Sequence, residues 1–148
     1  MFSGCATLSS AQIRQLTTRT VDADYANIFN ATIAVLRDNG FLIKSTDTEV
    51  GFILAEEDKE FSRPFGFWED LFSKGYIAHK GSVMQITAEI NPLSRTQSEV
   101  HLTLKNLPYN SREITGETTD TNYGAYRAML DRISKEALRR EALRREKK

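Results

Sequence analysis

The sequence predicts an α+β fold: a two-layer sandwich in which an antiparallel sheet of about five strands carries two helices on one face. Three observations lead there. Two segments alternate apolar and polar residues, with Met84, Ile86, Ala88 and Ile90 against Gln85, Thr87 and Glu89, and Val100, Leu102 and Leu104 against His101, Thr103 and Lys105. Such alternation marks strands with one buried and one wet face. Two other segments repeat their apolar residues at helical spacing. The element order strand, helix, two strands, insert, two strands, helix pairs neighbouring strands and leaves both helices for a single layer.

The elements follow in order. Ala6 to Ala11 is small, polar and without period, and reads as a linker. Gln12 to Thr20, "QIRQLTTRT", is rich in Thr and is expected to be a strand. A helix comes next, capped by Asp22 or Asp24, with Tyr25, Ile28, Phe29, Thr32 and Leu36 on its apolar face and Ile33 and Val35 widening it. "DNG" closes that helix, with Gly40 at the left-handed position and Phe41 sealing the cap. "FLIKSTD" and "GFILAEED" are strands joined through a turn at Asp47 to Gly51, and the two alternating strands flank "NPLSRTQ" as a second hairpin. A final helix is expected from about Asn122, with Tyr123, Tyr126, Leu130, Ile133 and Ala137 as its buried stripe. The organisation expected is therefore residues 1–11 as an N-terminal box and tether, 12–137 as one α+β domain with an aromatic-rich insert at 59–80, and 138–148 as a basic helical tail.

Composition narrows the function classes. With 40% hydrophobic and 27% charged residues in 148, the chain is that of an ordinary globular domain, and no apolar run reaches the ~18 residues of a membrane-spanning helix. Its single cysteine excludes an internal disulfide and a multi-thiolate zinc site. Twenty basic and twenty acidic residues cancel, but residues 139–148 carry six Lys or Arg against two Glu, so the charge is polarised toward the C-terminus.

The stretch "TRTVDADYANIFNATIAVLRDNGFLIKSTDTEVGFILAEED" resembles the N-terminal half of a family of small, uncharacterised bacterial lipoproteins, through Thr18, Arg19, Ala31, Val35, Leu36, Asp38, Gly40, Phe41, Gly51 and Ala55. The strands "MQITAEI" and "VHLTL" and the helix "NYGAYRAMLDRISKEAL" are similar to its second half. More distantly, the layout is similar to helix-grip domains of outer-membrane assembly lipoproteins, a likeness of fold alone. Where family members often carry a Gly- and Ala-rich stretch after the first hairpin, this chain has "FSRPFGFWEDLFSKGYIAHKG", so no function tied to that region is carried over.

The resemblance gives the opening residues a meaning. "FSGC" is similar to a lipoprotein box, with Ser3 and Gly4 in the small positions, Cys5 as the lipid acceptor and Phe2 in place of the usual Leu. The basic and apolar parts of an export signal are expected upstream of Phe2. Stable anchoring takes more than one acyl chain, which a triacylated cysteine supplies. Ala6 after the cysteine implies, by the same resemblance, outer-membrane sorting. The alternative for Cys5 is a stray thiol at a frayed terminus.

Two more features stand out. Phe61, Phe65, Phe67, Trp68, Phe72 and Tyr76 crowd one short stretch, and Phe65, Phe67, Trp68, Leu71 and Phe72 form a candidate interaction patch, either a docking surface or a lid helix over the sheet. The tail is an internal duplication, "EALRREALRR", whose Glu136–Arg140 and Glu141–Arg145 pairs support an exposed helix projecting beyond the domain. Arg139, Arg140, Arg144 and Arg145 are a candidate basic contact, or simply a solvated face; without interleaved aromatics no nucleic acid is expected.

Catalytic constellations are lacking in the sequence. His79 and His101 lie far apart, the glycines form no phosphate-binding loop, and His101 reads as polar decoration of a wet strand face. The expectation is a non-enzymatic, cofactor-free envelope lipoprotein, held on the bilayer through Cys5 and facing the periplasm, whose domain binds envelope proteins. The alternative is a soluble cytoplasmic interaction module using its basic C-terminal helix.

Overall fold

The structure, a computed structural model, describes residues 8–57, 82–108, 118–119 and 123–146. It is an α+β sandwich. Helix α1 (Ser10–Thr17) leads into β1 (Thr18–Val21), α2 (Tyr25–Asp38), β2 (Phe41–Asp47), β3 (Phe52–Glu57), β4 (Ser82–Ser94), β5 (Gln97–Pro108), β6 (Thr118–Thr119) and the long α3 (Tyr123–Glu146). The sheet is antiparallel in the order β1-β5-β4-β3-β2, with the short β6 pairing β5 beside Lys105 and Asn106.

One expectation is corrected at the start of the chain. Gln12 to Thr17 is helix, and the strand begins only at Thr18. Ser9 accepts the Gln12 N–H on its hydroxyl while the Gln12 side chain accepts the Ser9 N–H, a complete capping box. Ala11, Gln12, Arg14 and Leu16 are helix formers, and the β-branched pair Thr17–Thr18 turns the chain into a strand. The tether expected to reach Ala11 thus gives way to helix at Ser10.

Helix α2 is capped by Asp24, whose carboxylate accepts the Asn27 N–H at 2.8 Å. It ends at Asn39, followed by Gly40 at φ 86° and the buried Phe41. Ile28, Phe29, Ala31, Val35 and Leu36 of α2 and Ala125, Tyr126, Met129, Leu130, Ile133 and Ala137 of α3 cover one sheet face. That face is built from Val21, Ile53, Ala55, Met84, Ile86, Ala88, Ile90, Val100, Leu102 and Leu104. Removing so many large apolar side chains from water is the main driving force for this fold.

Two backbone features fix the sheet geometry. Gly51 ends the turn between β2 and β3 at φ 75°, where an added Cβ would lie 2.0 Å from the Ile90 carbonyl oxygen, so only glycine fits. Its own carbonyl accepts the Ile90 N–H at 2.7 Å, tying the turn to β4. The second hairpin is longer than its alternation suggests: β4 runs through Pro92 to Ser94, with a register shift between those two, and Arg95–Thr96 alone forms the turn. A bulge lets a strand carry a proline that could not serve a regular ladder.

Candidate functional site

The side chains that carry chemistry gather in two places, the end of α3 and the open face of the sheet. At the first, Glu141 lies at a helix position where the apolar stripe was expected to have ended, yet it is buried, 4% exposed. Its carboxylate accepts from the Asn27 amide at 2.5 Å, the Asp24 backbone N–H at 3.4 Å and Arg144 at 2.6 Å. Burial pushes this carboxyl up, but those hydrogen bonds outweigh it and hold the group below the usual carboxylate range. Arg144 also reaches Asp24 at 2.9 Å, so it bridges the capping residue of α2 and the buried glutamate.

The projecting tail is therefore corrected: α3 stays docked on the start of α2 as far as Arg144. Its ion pairs also differ from those expected. Glu136 does take Arg140 at 2.7 Å, but it takes Arg139 as well, through two hydrogen bonds, and Glu141 pairs with Arg144 instead of Arg145. Arg139, aided by Arg140, holds the Glu136 carboxyl below its ordinary range against the opposing effect of burial. Of the four candidate basic contacts, Arg139, Arg140 and Arg144 are engaged within the protein, and Arg145 is exposed with no carboxylate partner among the described residues.

The second place is a groove of about 380 Å³ on the open sheet face, lined by Arg14, Phe52, Glu89, Asn91, Glu99 and His101 among others. The register sets Phe52, Glu89, His101 and Thr18 side by side across β3, β4, β5 and β1. His101 Nδ1 lies 2.9 Å from Thr18 Oγ1 and 3.4 Å from Thr17 Oγ1, and Thr17 donates its own hydroxyl proton to the Ile13 carbonyl. Arg14 crosses from α1 to Glu99 at 3.0 Å. Burial lowers the affinity of His101 for a proton, and Arg14 lowers it further, against the opposite pull of Glu89 and Glu99. His101 is thus half-buried and tied to the α1–β1 junction, a correction to its reading as wet-face decoration.

Alternation along β4 and β5 placed Glu89, Glu99 and His101 on one face. It carries no sign of Arg14, because the Thr-rich segment holding Arg14 predicts a strand and the structure makes it helix. Cys5 and the aromatic patch Phe65, Phe67, Trp68, Leu71 and Phe72 lie outside the described residues. Among the described residues, no group of three or more His, Cys, Asp or Glu side chains is placed to hold a metal, and no helix is long and apolar enough to cross a membrane.

Within the groove Arg14 is paired with Glu99, and His101 with two hydroxyls. No protein-family model matches the sequence, and no curated protein is significantly similar to it.

Proposed function

We propose that this protein is a lipid-anchored bacterial envelope lipoprotein, acylated on Cys5 and held at the outer membrane facing the periplasm. Its α+β domain then serves as a non-catalytic interaction module for other envelope proteins. The observation that carries the reading is the spacing between "FSGC" and the fold: Cys5 follows Ser3 and Gly4, and the capping box at Ser9 starts the domain four residues later. A lipid on a cysteine at that distance ahead of the capping box is attached outside the helix that opens the domain. Arg14 and His101 of the open groove are held by Glu99 and by two hydroxyls, which agrees with a binding surface better than with a reacting one.

A cytoplasmic module acting through its basic helix is less well supported, because three of the four arginines offered for contact are held by Glu136, Glu141 and Asp24.

The test expresses the whole chain behind an export signal that ends at Gly4, in cells fed a radiolabelled fatty acid. Label should enter the wild-type protein, be absent from Cys5→Ala, and follow the protein into the membrane fraction. Equal labelling and equal membrane retention of the two proteins overturn the anchor.

A further inference from the structure

We propose that α1 is the membrane-facing element of the anchored domain, with Leu8, Ile13 and Leu16 resting on the bilayer that holds the Cys5 lipid. The inference deepens the anchored reading and rests on it. Helix α1 is ordered by its capping box and by Thr17, its one buried residue, yet its large apolar side chains and that of Leu8 just before its cap are left partly outside: Leu8 and Ile13 are each 38% exposed and Leu16 is 42% exposed. Single exposed apolar residues are common and need no explanation. Here their position along the chain decides the matter.

Leu8 is three residue steps from Cys5, at most about 11 Å even when fully extended, and Ser9 lies within about 14 Å. Interfacial helices seat their apolar face about 5–10 Å into the boundary between headgroups and acyl chains. A lipid on Cys5 therefore holds the start of α1 against the headgroups, and a partner protein would have to enter that narrow gap to cover the same side chains.

Charge at the same place agrees. The groove beside Leu16, between α1 and the start of α3, is lined also by Arg19, Tyr123 and Arg127. Arg127 is exposed and pairs with no carboxylate among the described residues, which suits an anionic headgroup. Three partly exposed side chains, two on a two-turn helix and one just before it, bind a bilayer weakly by themselves. The anchor makes their contact intramolecular and raises its effective concentration. Docking of α1 is accordingly expected with the lipid and not without it.

The experiment uses the full chain acylated on Cys5, carrying Leu16→Cys as its only free thiol, labelled with a nitroxide and reconstituted in vesicles of phosphatidylethanolamine and phosphatidylglycerol. Ser45→Cys is the reference, because β2 is the opposite edge of the sheet from β1. The label at position 16 should collide freely with oxygen and lose most of its collisions with a water-soluble nickel chelate, while the label at 45 stays open to nickel. Ile13→Cys should repeat the result at position 16. If the protein floats with the vesicles but position 16 is as open to nickel as position 45, the anchor stands and the inference falls. Equal shielding at position 16 in vesicle-free protein carrying Cys5→Ala also overturns it, since another segment or a second copy then covers α1. Protein that does not float with the vesicles refutes the anchored reading, and this inference with it.

Discussion

The Asn27 side-chain amide donates to the Glu141 carboxylate at 2.5 Å, joining the first turn of α2 to the far end of α3 across 114 positions of sequence. Glu141 holds the Asp24 N–H and Arg144 in the same grip, so one buried carboxylate organises a helix cap, an amide and a guanidinium.

Replacing Glu141 with Ala should therefore cost about 1–3 kcal/mol, because it leaves the half-buried Asn27 amide and the Asp24 N–H without their shared acceptor. For a chain of this size each kcal/mol lowers Tm by roughly 2–4 °C. The pH dependence has a definite sign. The folded carboxyl sits below its unfolded value, so its contribution is present at neutral pH and is lost as pH falls through the folded value. Urea denaturation at several pH values should show Glu141→Gln with a shallower acid limb than wild type. Identical acid limbs would mean that the network does not act on stability.

Gly51→Ala should be among the most damaging small substitutions in the chain. The left-handed backbone at φ 75° alone costs a non-glycine residue about 1–2 kcal/mol. The added Cβ would also meet the Ile90 carbonyl, which belongs to a strand and cannot swing aside as a flexible side chain would. Chemical denaturation should place the midpoint well below wild type, with Asp47 to Gly51 and Ile90 losing amide protection first. A variant as stable as wild type would show that the turn can relax.

Much of this fold is legible in local pattern, and the exceptions share a cause. The period-two runs at Met84 to Ile90 and Val100 to Leu104, and the helical stripe from Ile28 to Leu36, report burial on one face, which any strand or helix in that place must show. Gln12 to Thr17 has no such stripe, since Thr17 alone is buried, and its capping box competes with Thr17, Thr18 and Thr20, which favour a strand. Glu141 was illegible for the opposite reason. A buried charge breaks the apolar pattern and becomes favourable only through Asn27 and Asp24, more than a hundred residues earlier. Arg14 entered the groove for the same kind of reason, through a partner on β5 that only the register of the sheet brings near.

His101 gives a second pH signature, in the range where Glu141 is silent. Burial holds its folded value below the ordinary histidine value, so the unfolded chain takes up a proton first as pH falls. Stability is full above the unfolded value and declines as pH drops through it toward the folded one. Following the His101 ring proton by NMR should give a midpoint below 6.5, the model-peptide value. His101→Gln should flatten the stability profile on the acid side of the ordinary histidine value. A midpoint at or above the ordinary value would assign the dominant influence to Glu89 and Glu99 instead of burial.

Tyr126 closes a gap that the sheet leaves open. Along that edge of β5, pairing with β1 ends at His101 and pairing with β6 starts at Lys105. Leu104 lies between them, and its N–H donates to the Tyr126 hydroxyl at 3.0 Å. Both residues are buried, Leu104 fully and Tyr126 at 1% exposure, so no water can take the place of the hydroxyl. Tyr126→Phe keeps the ring and its packing against Tyr123 but orphans that donor, which should cost about 1–3 kcal/mol. Equilibrium urea unfolding should shift the midpoint down with the slope unchanged, since the surface exposed on unfolding is nearly the same. The Leu104 amide should exchange slowly in the wild type and become one of the faster core amides in the variant. Unchanged exchange at Leu104 in Tyr126→Phe would show that the strand finds another acceptor, and that the hydroxyl is not what seals this edge.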